Sequence, residues 1–265
     1  MNAETQTSYD LKEMVNELNQ YLKLKTIPIG MKMYSSAEEM EAVPKIRRPG
    51  RRHLLDQIVA QSARLGWTVG ITANDLAMKQ CGAIAGLLPQ DEDWLSGEAM
   101  DGVWFGTRED SAAHQESLDV VKFGKYKALA VSPLESGRIE NPDICLLYGT
   151  PGQMILLING LQWVGFQKFE WSVAGESSCA DSWGRALSTG TPSLSIPCYA
   201  ERRYGGVLDD ELLMAIPPAD LAKGIEGLKK LAKNGLRYPI PQYGIQSDPT
   251  ESLEPIYPDW VRPTI

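Results

Sequence analysis

The sequence predicts an α/β or α+β fold, with a single mixed central sheet and flanking helices. Short alternating segments typical of strands are interspersed with segments whose apolar residues recur at helical spacing. A strand, a turn and a helix follow one another in three places, and domains that pack helices against a sheet show this order. We expect one domain over residues 1–240 and an extended, proline-rich tail over residues 241–265.

The composition restricts the function classes. The 265 residues are 43% apolar and 23% charged, and the net charge is -8. These values are typical of globular proteins, and the acidic excess argues against a nucleic-acid partner. We expect a cytoplasmic protein without membrane association, because no apolar run reaches bilayer length and the first residues lack signal-peptide features. A tail that packs on a partner subunit would make the protein a homo-oligomer.

The first quarter of the chain predicts a helix, a strand and a second helix. Residues 9–24 carry apolar side chains at the spacing of one buried helix face, and residues 26–34 alternate as a strand. The basic segment KIRRPGRRH, residues 45–53, precedes a helix that we expect to end at Gly66. This segment either holds an anion at the helix N-terminus or pairs with surplus carboxylates.

The middle of the chain repeats the pattern of strand and helix. We expect strands over residues 67–72, 126–133 and 143–148, and a helix with Cys81 after the first of them. Cys145 lies in an apolar run, which is typical of a core residue.

The middle region also contains an acidic segment without clear periodicity and a helix followed by a predicted strand. The acidic, poorly periodic residues 90–124 are interpreted as a lid or a surface excursion. A helix with Pro151 in its first turn precedes a predicted strand over residues 164–173.

The stretch from residue 175 to residue 217 concentrates the residue types that carry chemistry. Cys179 falls in the first turn of a predicted helix that ends at Gly190, where the helix dipole favours a thiolate. A short strand then delivers Cys198, and Arg202 follows. The acidic triplet at residues 209–211 either holds a metal, acts as a base, or begins a helix. Both cysteines would alternatively be small buried hydrophobes.

Several motifs resemble one known family. IPIGMKMY, ARLGW, LLYGTPGQMILLI, IPC and DDEL occur in this order over most of the chain. They resemble the uncharacterised ArCR proteins, also called domain of unknown function 169. The resemblance implies that Cys81, Cys179 and Cys198 are the matched cysteines and that Cys145 is outside the pattern. A further cysteine that this family often has before ARLGW is missing here.

Our first functional hypothesis is a metal-binding protein with an iron–sulfur cluster. The chain has only two histidines, which argues against a histidine-rich site. Three matched cysteines instead fit a cluster such as [4Fe–4S] with one iron open to substrate. Cys81, Cys179 and Cys198 would bind the metal, and Arg202 would stabilise the cluster charge or a small anionic substrate. The enzymatic form of this hypothesis is an oxidoreductase or a lyase.

Two other hypotheses remain open. A non-catalytic, small-anion-binding or accessory module would hold its ligand with the basic segment and Arg202, and its cysteines would be structural. Thiol catalysis by Cys198 or Cys179 ranks last, because no histidine base is evident. The sequence contains no dinucleotide fingerprint, phosphate-binding loop or nucleophile elbow.

Overall fold

A six-stranded antiparallel sheet is the centre of the fold. The computed structural model describes residues 9–242, 244–246 and 258, so most of the predicted tail lies outside the described residues. The strands are β1 (Ile29–Tyr34), β2 (Val69–Thr72), β3 (Ala128–Pro133), β4 (Ile144–Gly149), β5 (Ser193–Ser195) and β6 (Leu212–Ile216). Their order is β2-β3-β1-β4-β6-β5, and all five neighbouring pairs are antiparallel. Of the two predicted classes the fold is therefore α+β. The described strands form no parallel pair in this sheet.

Helices cover both faces of this sheet. They are α1 (Leu11–Leu22), α2 (Ala37–Glu41), α3 (Leu55–Leu65), α4 (Lys79–Ile84), α5 (Glu92–Leu95), α6 (Arg108–Ser117), α7 (Pro151–Leu161), α8 (Arg185–Thr189), α9 (Tyr199–Gly205) and α10 (Pro218–Lys233). A π-helical segment, Ala180–Gly184, runs directly into α8. No helix in the described part of the chain is long and apolar enough to cross a membrane.

The strands alternate their side chains between the two faces of the sheet. Ile29 and Met31 of β1 face the larger core, which also contains Cys81, Cys179 and Trp183. We call this side of the sheet the cysteine face. The α7/α10 face is the opposite side, where α1, α7 and α10 cover Cys145 and other residues of β4 and β6.

The α7/α10 face is closely packed through glycine. A Cβ atom placed on Gly227 would lie 2.0 Å from the carbonyl oxygen of Gly160. The backbones of α7 and α10 can therefore touch only because residue 227 is a glycine, which has no Cβ atom. Gln153 also ties α7 to the end of α1, because its Nε2 donates to the carbonyl oxygen of Leu22 at 2.8 Å.

One predicted strand is wrong, and one of the alternatives for the acidic triplet, a helix start, is not found. Residues 164–173 form no strand, and Val164 and Phe166 are exposed instead of packed. The apolar run that follows the acidic triplet forms β6 instead of a helix, because it lies buried between β4 and β5.

Candidate metal centre

Three buried side chains converge on the cysteine face. Asp56, Cys81 and Cys179 each offer one ligand atom, and these atoms all lie within 4.8 Å of one another. Asp56 comes from the first turn of α3, Cys81 from α4, and Cys179 directly precedes the π-helical segment. Their exposed fractions are 3%, 5% and 2%, so the group is shielded from water.

The π-helical segment brings Cys179 to this position. Gly184 closes the segment, and a Cβ atom there would lie 2.7 Å from the carbonyl oxygen of Asp119 and 2.8 Å from Cγ2 of Ile84. Glycine at this position therefore lets the segment lie directly against α4. Wide turns of this kind are frequent at functional sites.

Asp56 is the most unusual member of the group. Its Oδ1 atom is buried and has no hydrogen-bond partner. Burial raises the pKa of this carboxyl well above its ordinary value, and the charges of Glu201 and Glu176 raise it further. An ionised carboxylate here would be costly without a cation, because the side chain is almost fully buried and the charges that act on it most strongly are acidic.

The two thiols share this environment. A hydrogen bond with Cys179 lowers the pKa of Cys81, but burial and the charge of Asp56 outweigh it and the pKa is raised. The pKa of Cys179 is raised well above its ordinary value by the hydrogen bond to Cys81, by burial and by neighbouring acidic groups. The expectation that the helix dipole favours a Cys179 thiolate is therefore wrong, because the hydrogen bond with Cys81 and burial both raise the pKa of Cys179.

Cys198 lies at the edge of the centre. It caps α9, and its backbone N–H donates to Ser178 Oγ at 2.8 Å and to the Glu201 carboxylate at 3.1 Å. Burial and the charge of Glu201 raise its pKa to about 12. The group within 4.8 Å does not include Cys198, although its charge contributes to the raised pKa of Cys179. High thiol pKa values leave little thiolate, which gives thiol catalysis no support.

Arg202 lies beside the centre but is engaged elsewhere. Its Nε donates to the carbonyl oxygen of Pro197 at 3.1 Å, and its guanidinium group also donates to the carbonyl oxygen of Leu208. Asp209 lies 3.8 Å from it and is exposed. Arg202 therefore ties α9 to the loop that follows it.

The acidic triplet does not form a cluster. Glu211 pairs with Arg64 of α3 at 2.6 Å and accepts from the Leu208 N–H at 2.7 Å. Its neighbour Asp209 points to solvent. Within the triplet, Glu211 therefore holds the end of the loop before β6 and links it to α3 through an ion pair.

The basic segment is partly neutralised. Arg48 pairs with Glu41 and with Asp75, the latter at 2.6 Å, and the Arg47 guanidinium lies 4.5 Å from the Trp67 ring centroid. Of the two roles predicted for the basic segment, Arg48 has the second, which is pairing with carboxylates. Cys145 is fully buried in the core of the α7/α10 face, which confirms its prediction as a core residue.

Sequence reasoning missed two buried carboxyl groups at the centre, Asp56 and Glu201. Asp56 lies among the buried residues of α3, beside Leu55 and Ile58. A polar residue on the apolar face of a helix was the available signal. Glu201 lies three residues after Cys198, the spacing of a capping box, and its burial becomes evident only in the fold.

The predicted lid region lies over this centre. Residues 90–124, which we call the covering segment, include α5 and α6. Three hydrogen bonds join it to the elements of the centre: Gln115 with Gln80 at 2.7 Å, the Val121 N–H with the carbonyl oxygen of Ile84 at 2.9 Å, and His114 with the carbonyl oxygen of Glu176 at 3.0 Å. Asp119 also forms an ion pair with Arg185 at 3.0 Å. The rings of Trp104 and Tyr199 make an edge contact at 5.8 Å. The segment therefore shields the cysteine face from solvent.

Comparison with known families gives one decisive match. The family model of the uncharacterised ArCR proteins, domain of unknown function 169, matches residues 17–227. The chain belongs to the ArCR family. The match spans Asp56, Cys81, Cys179 and Cys198, so the candidate centre lies within the ArCR region.

Other relatives add little about activity. An uncharacterized protein of Methanocaldococcus jannaschii is 23% identical over 130 residues, which cover 48% of this chain and 55% of that protein. This ArCR chain thus spans about half the length of the curated relative that it matches. Comparison with solved structures gives no significant match.

Proposed function

We propose that this ArCR protein binds a metal through Cys81, Cys179 and Asp56. The observation that carries the proposal is the buried Asp56 carboxyl, whose Oδ1 has no hydrogen-bond partner and which lies against two thiols. Two sulfur atoms and one oxygen form a donor set that suits zinc or iron. A cation would stabilise the ionised forms of all three groups, which burial otherwise disfavours.

The donor spacing supports a single metal atom between the three groups. Two thiolates bound at about 2.3 Å to one metal atom are at most about 4.6 Å apart. The donor atoms of Cys81, Cys179 and Asp56 lie within 4.8 Å, which is close to this limit. If the centre is an iron–sulfur cluster, Cys81 and Cys179 would share one iron. A [4Fe–4S] cluster usually takes one cysteine per iron, so the spacing favours a lone ion or a smaller cluster.

The reaction class belongs to the same proposal. Bound iron would supply redox or Lewis-acid chemistry, which agrees with the predicted oxidoreductase or lyase. The chain itself supplies a buried set of donors whose neighbouring charges, Glu201 and Glu176, are acidic and favour a cation. The proposal also places the protein in the cytoplasm. Its four cysteines are all free thiols, and reducing compartments keep thiols in that state.

Metal analysis tests the proposal directly. Iron, zinc and acid-labile sulfide are measured on protein purified without oxygen and after reconstitution with Fe²⁺ or Zn²⁺. Wild type is compared with the double variant Cys81→Ser, Cys179→Ser, and Cys145→Ala is the matched control. We expect at least one metal per chain in wild type and control, and its loss in the double variant.

Each outcome has a defined meaning. Metal with stoichiometric sulfide identifies a cluster, and metal without sulfide identifies a lone ion. Folded wild-type protein that takes up neither metal would overturn the proposal, and so would equal loss of metal in Cys145→Ala.

A further inference from the structure

A cavity of about 330 Å³ lies apart from the metal centre. Its wall comes from the end of α7, the irregular residues 162–170, the start of α8, the loop before β5 and the first turns of α10. None of the three candidate metal ligands lines it. The volume lies at the lower end of the range for small-molecule sites.

Three cationic side chains from separate segments meet at this cavity. They are Lys168 of the irregular segment, Arg185 of α8 and Lys223 of α10. Neither lysine forms an ion pair with any residue that the structure describes, and Arg185 pairs only with Asp119 through Nη1 at 3.0 Å. Both lysines are exposed, so their ammonium groups are accessible to an anionic ligand from solvent.

Two carboxyl groups also line the cavity. Glu170 and Asp220 lie on its wall, but neither comes within ion-pair distance of Lys168 or Lys223. Burial raises the pKa of Asp220, and the charge of Lys223 acts in the opposite direction. The lining thus has three cationic and two acidic side chains, and the cationic groups have unused N–H donors.

The remaining wall is partly apolar and is held in place. Leu161, Phe169 and Pro192 supply apolar surface. The chain after the cavity is fixed to the π-helical segment, because Asp181 accepts from the Ala174 N–H at 2.8 Å and from Ser172 Oγ at 3.2 Å. Cationic donors beside an apolar wall match a ligand that has an anionic group and a carbon skeleton.

We propose that this cavity binds a small organic anion, a carboxylate or a phosphate monoester. Its anionic group lies between Lys168, Lys223 and the free N–H groups of Arg185, and its carbon skeleton contacts Phe169. This site is independent of the metal proposal, since it shares no residue with Cys81, Cys179 and Asp56. It also differs from the anion sites predicted at Arg202 and in the basic segment.

Calorimetric titration of the full chain tests the site. The probes are succinate, glycerol 3-phosphate and inorganic phosphate, each at low ionic strength. The variants are Lys168→Glu and Lys223→Glu, and the matched control is Lys230→Glu, an exposed lysine on α10 that does not line the cavity. We expect one organic probe to bind at one site per chain, at least tenfold weaker binding in both cavity variants, and a change below twofold in the control.

The result separates the two ligand classes and the two proposals. Preference for succinate identifies a carboxylate site, and preference for glycerol 3-phosphate identifies a phosphate ester site. Failure of both organic probes, or equal weakening by Lys230→Glu, would overturn the proposal. Lys223→Gln and a thermal melt of each variant separate lost binding from lost folding. Repeating the titration with the double cysteine variant shows whether the site survives without the metal centre.

Discussion

Cys145 and Cys179 lie on opposite faces of the same sheet and are equally buried, at 0% and 2% exposure. Burial alone raises the pKa of Cys145 to about 12, because its neighbours on the α7/α10 face are apolar. Cys179 is surrounded by a second thiol and a carboxyl whose oxygen has no partner. The difference shows that a buried cysteine gives no functional signal by itself, and that its polar neighbours do.

Serine substitution at each cysteine gives the largest expected contrast. Cys179→Ser should weaken Zn²⁺ binding at least 100-fold, because a soft thiolate donor is replaced by a hydroxyl. Cys145→Ser should change Zn²⁺ affinity less than threefold, although its buried hydroxyl should lower the free energy of unfolding by about 1–3 kcal/mol. Competition with a chromophoric chelator measures the affinities. Equal loss of affinity in both variants would remove the distinction between the faces.

Gly227→Ala should affect stability without affecting metal binding. Its new methyl group would overlap the carbonyl oxygen of Gly160, so α7 and α10 must separate. We expect the free energy of unfolding to fall by about 1–3 kcal/mol in urea denaturation, as is usual for overpacked cores. Lys230→Ala on the exposed side of α10 should change it by less than about 0.5 kcal/mol. Unchanged stability of Gly227→Ala would contradict the close helix contact.

The cysteine face should also respond to pH through Asp56. In metal-free protein the folded state keeps a proton on Asp56 that the unfolded state has lost above about pH 4, because the folded pKa is raised. Stability should therefore fall as pH rises from about 4 toward the folded pKa, by up to about 1.4 kcal/mol per pH unit. Asp56→Asn should flatten this dependence in urea titrations at several pH values.

Asp143→Asn is the matched control for this experiment. Burial also raises the pKa of Asp143, but its carboxylate accepts from the Met33 N–H at 2.7 Å, so part of its charge is compensated. If the dependence of stability on pH survives in Asp56→Asn but disappears in Asp143→Asn, it comes from Asp143, and the prediction for Asp56 is wrong.

The smallest expected effect concerns the covering segment. Trp104→Ala removes the ring contact with Tyr199, which neighbours Cys198. Aromatic pairs contribute about 0.5–1.5 kcal/mol, so opening of the segment should become about threefold to tenfold more frequent. The rate at which a thiol reagent modifies metal-free native protein reports this opening. Trp171→Ala, at another partly exposed tryptophan, should leave the rate unchanged.

The sequence was sufficient where a local pattern decides structure. The apolar stripe of α1, the alternation of β1 and the burial of Cys145 depend on neighbouring residues, and all three are confirmed. The strand predicted over residues 164–173 is wrong, and the helix considered after the acidic triplet is strand β6 instead, because strand formation depends on tertiary context as well as on the local pattern.

The candidate site was only partly predictable. Family motifs indicated Cys81, Cys179 and Cys198, but no motif connects them with Asp56. The contact between α3 and the cysteines joins residues that are far apart in the chain, and only the sheet topology determines it. The raised pKa of Cys179 also depends on this contact, which explains why the helix position alone gave the wrong expectation.

The wide separation of Asp56, Cys81 and Cys179 along the chain also determines when the centre can exist during synthesis. Ribosomes release residues from the N-terminus onward, so a nascent chain carries Asp56 and Cys81 long before Cys179 emerges. Until then the first two groups face an incomplete sheet, because β5 and β6 are still missing. The proposed metal would therefore be bound by all three groups only after Cys179 has emerged and the sheet is complete.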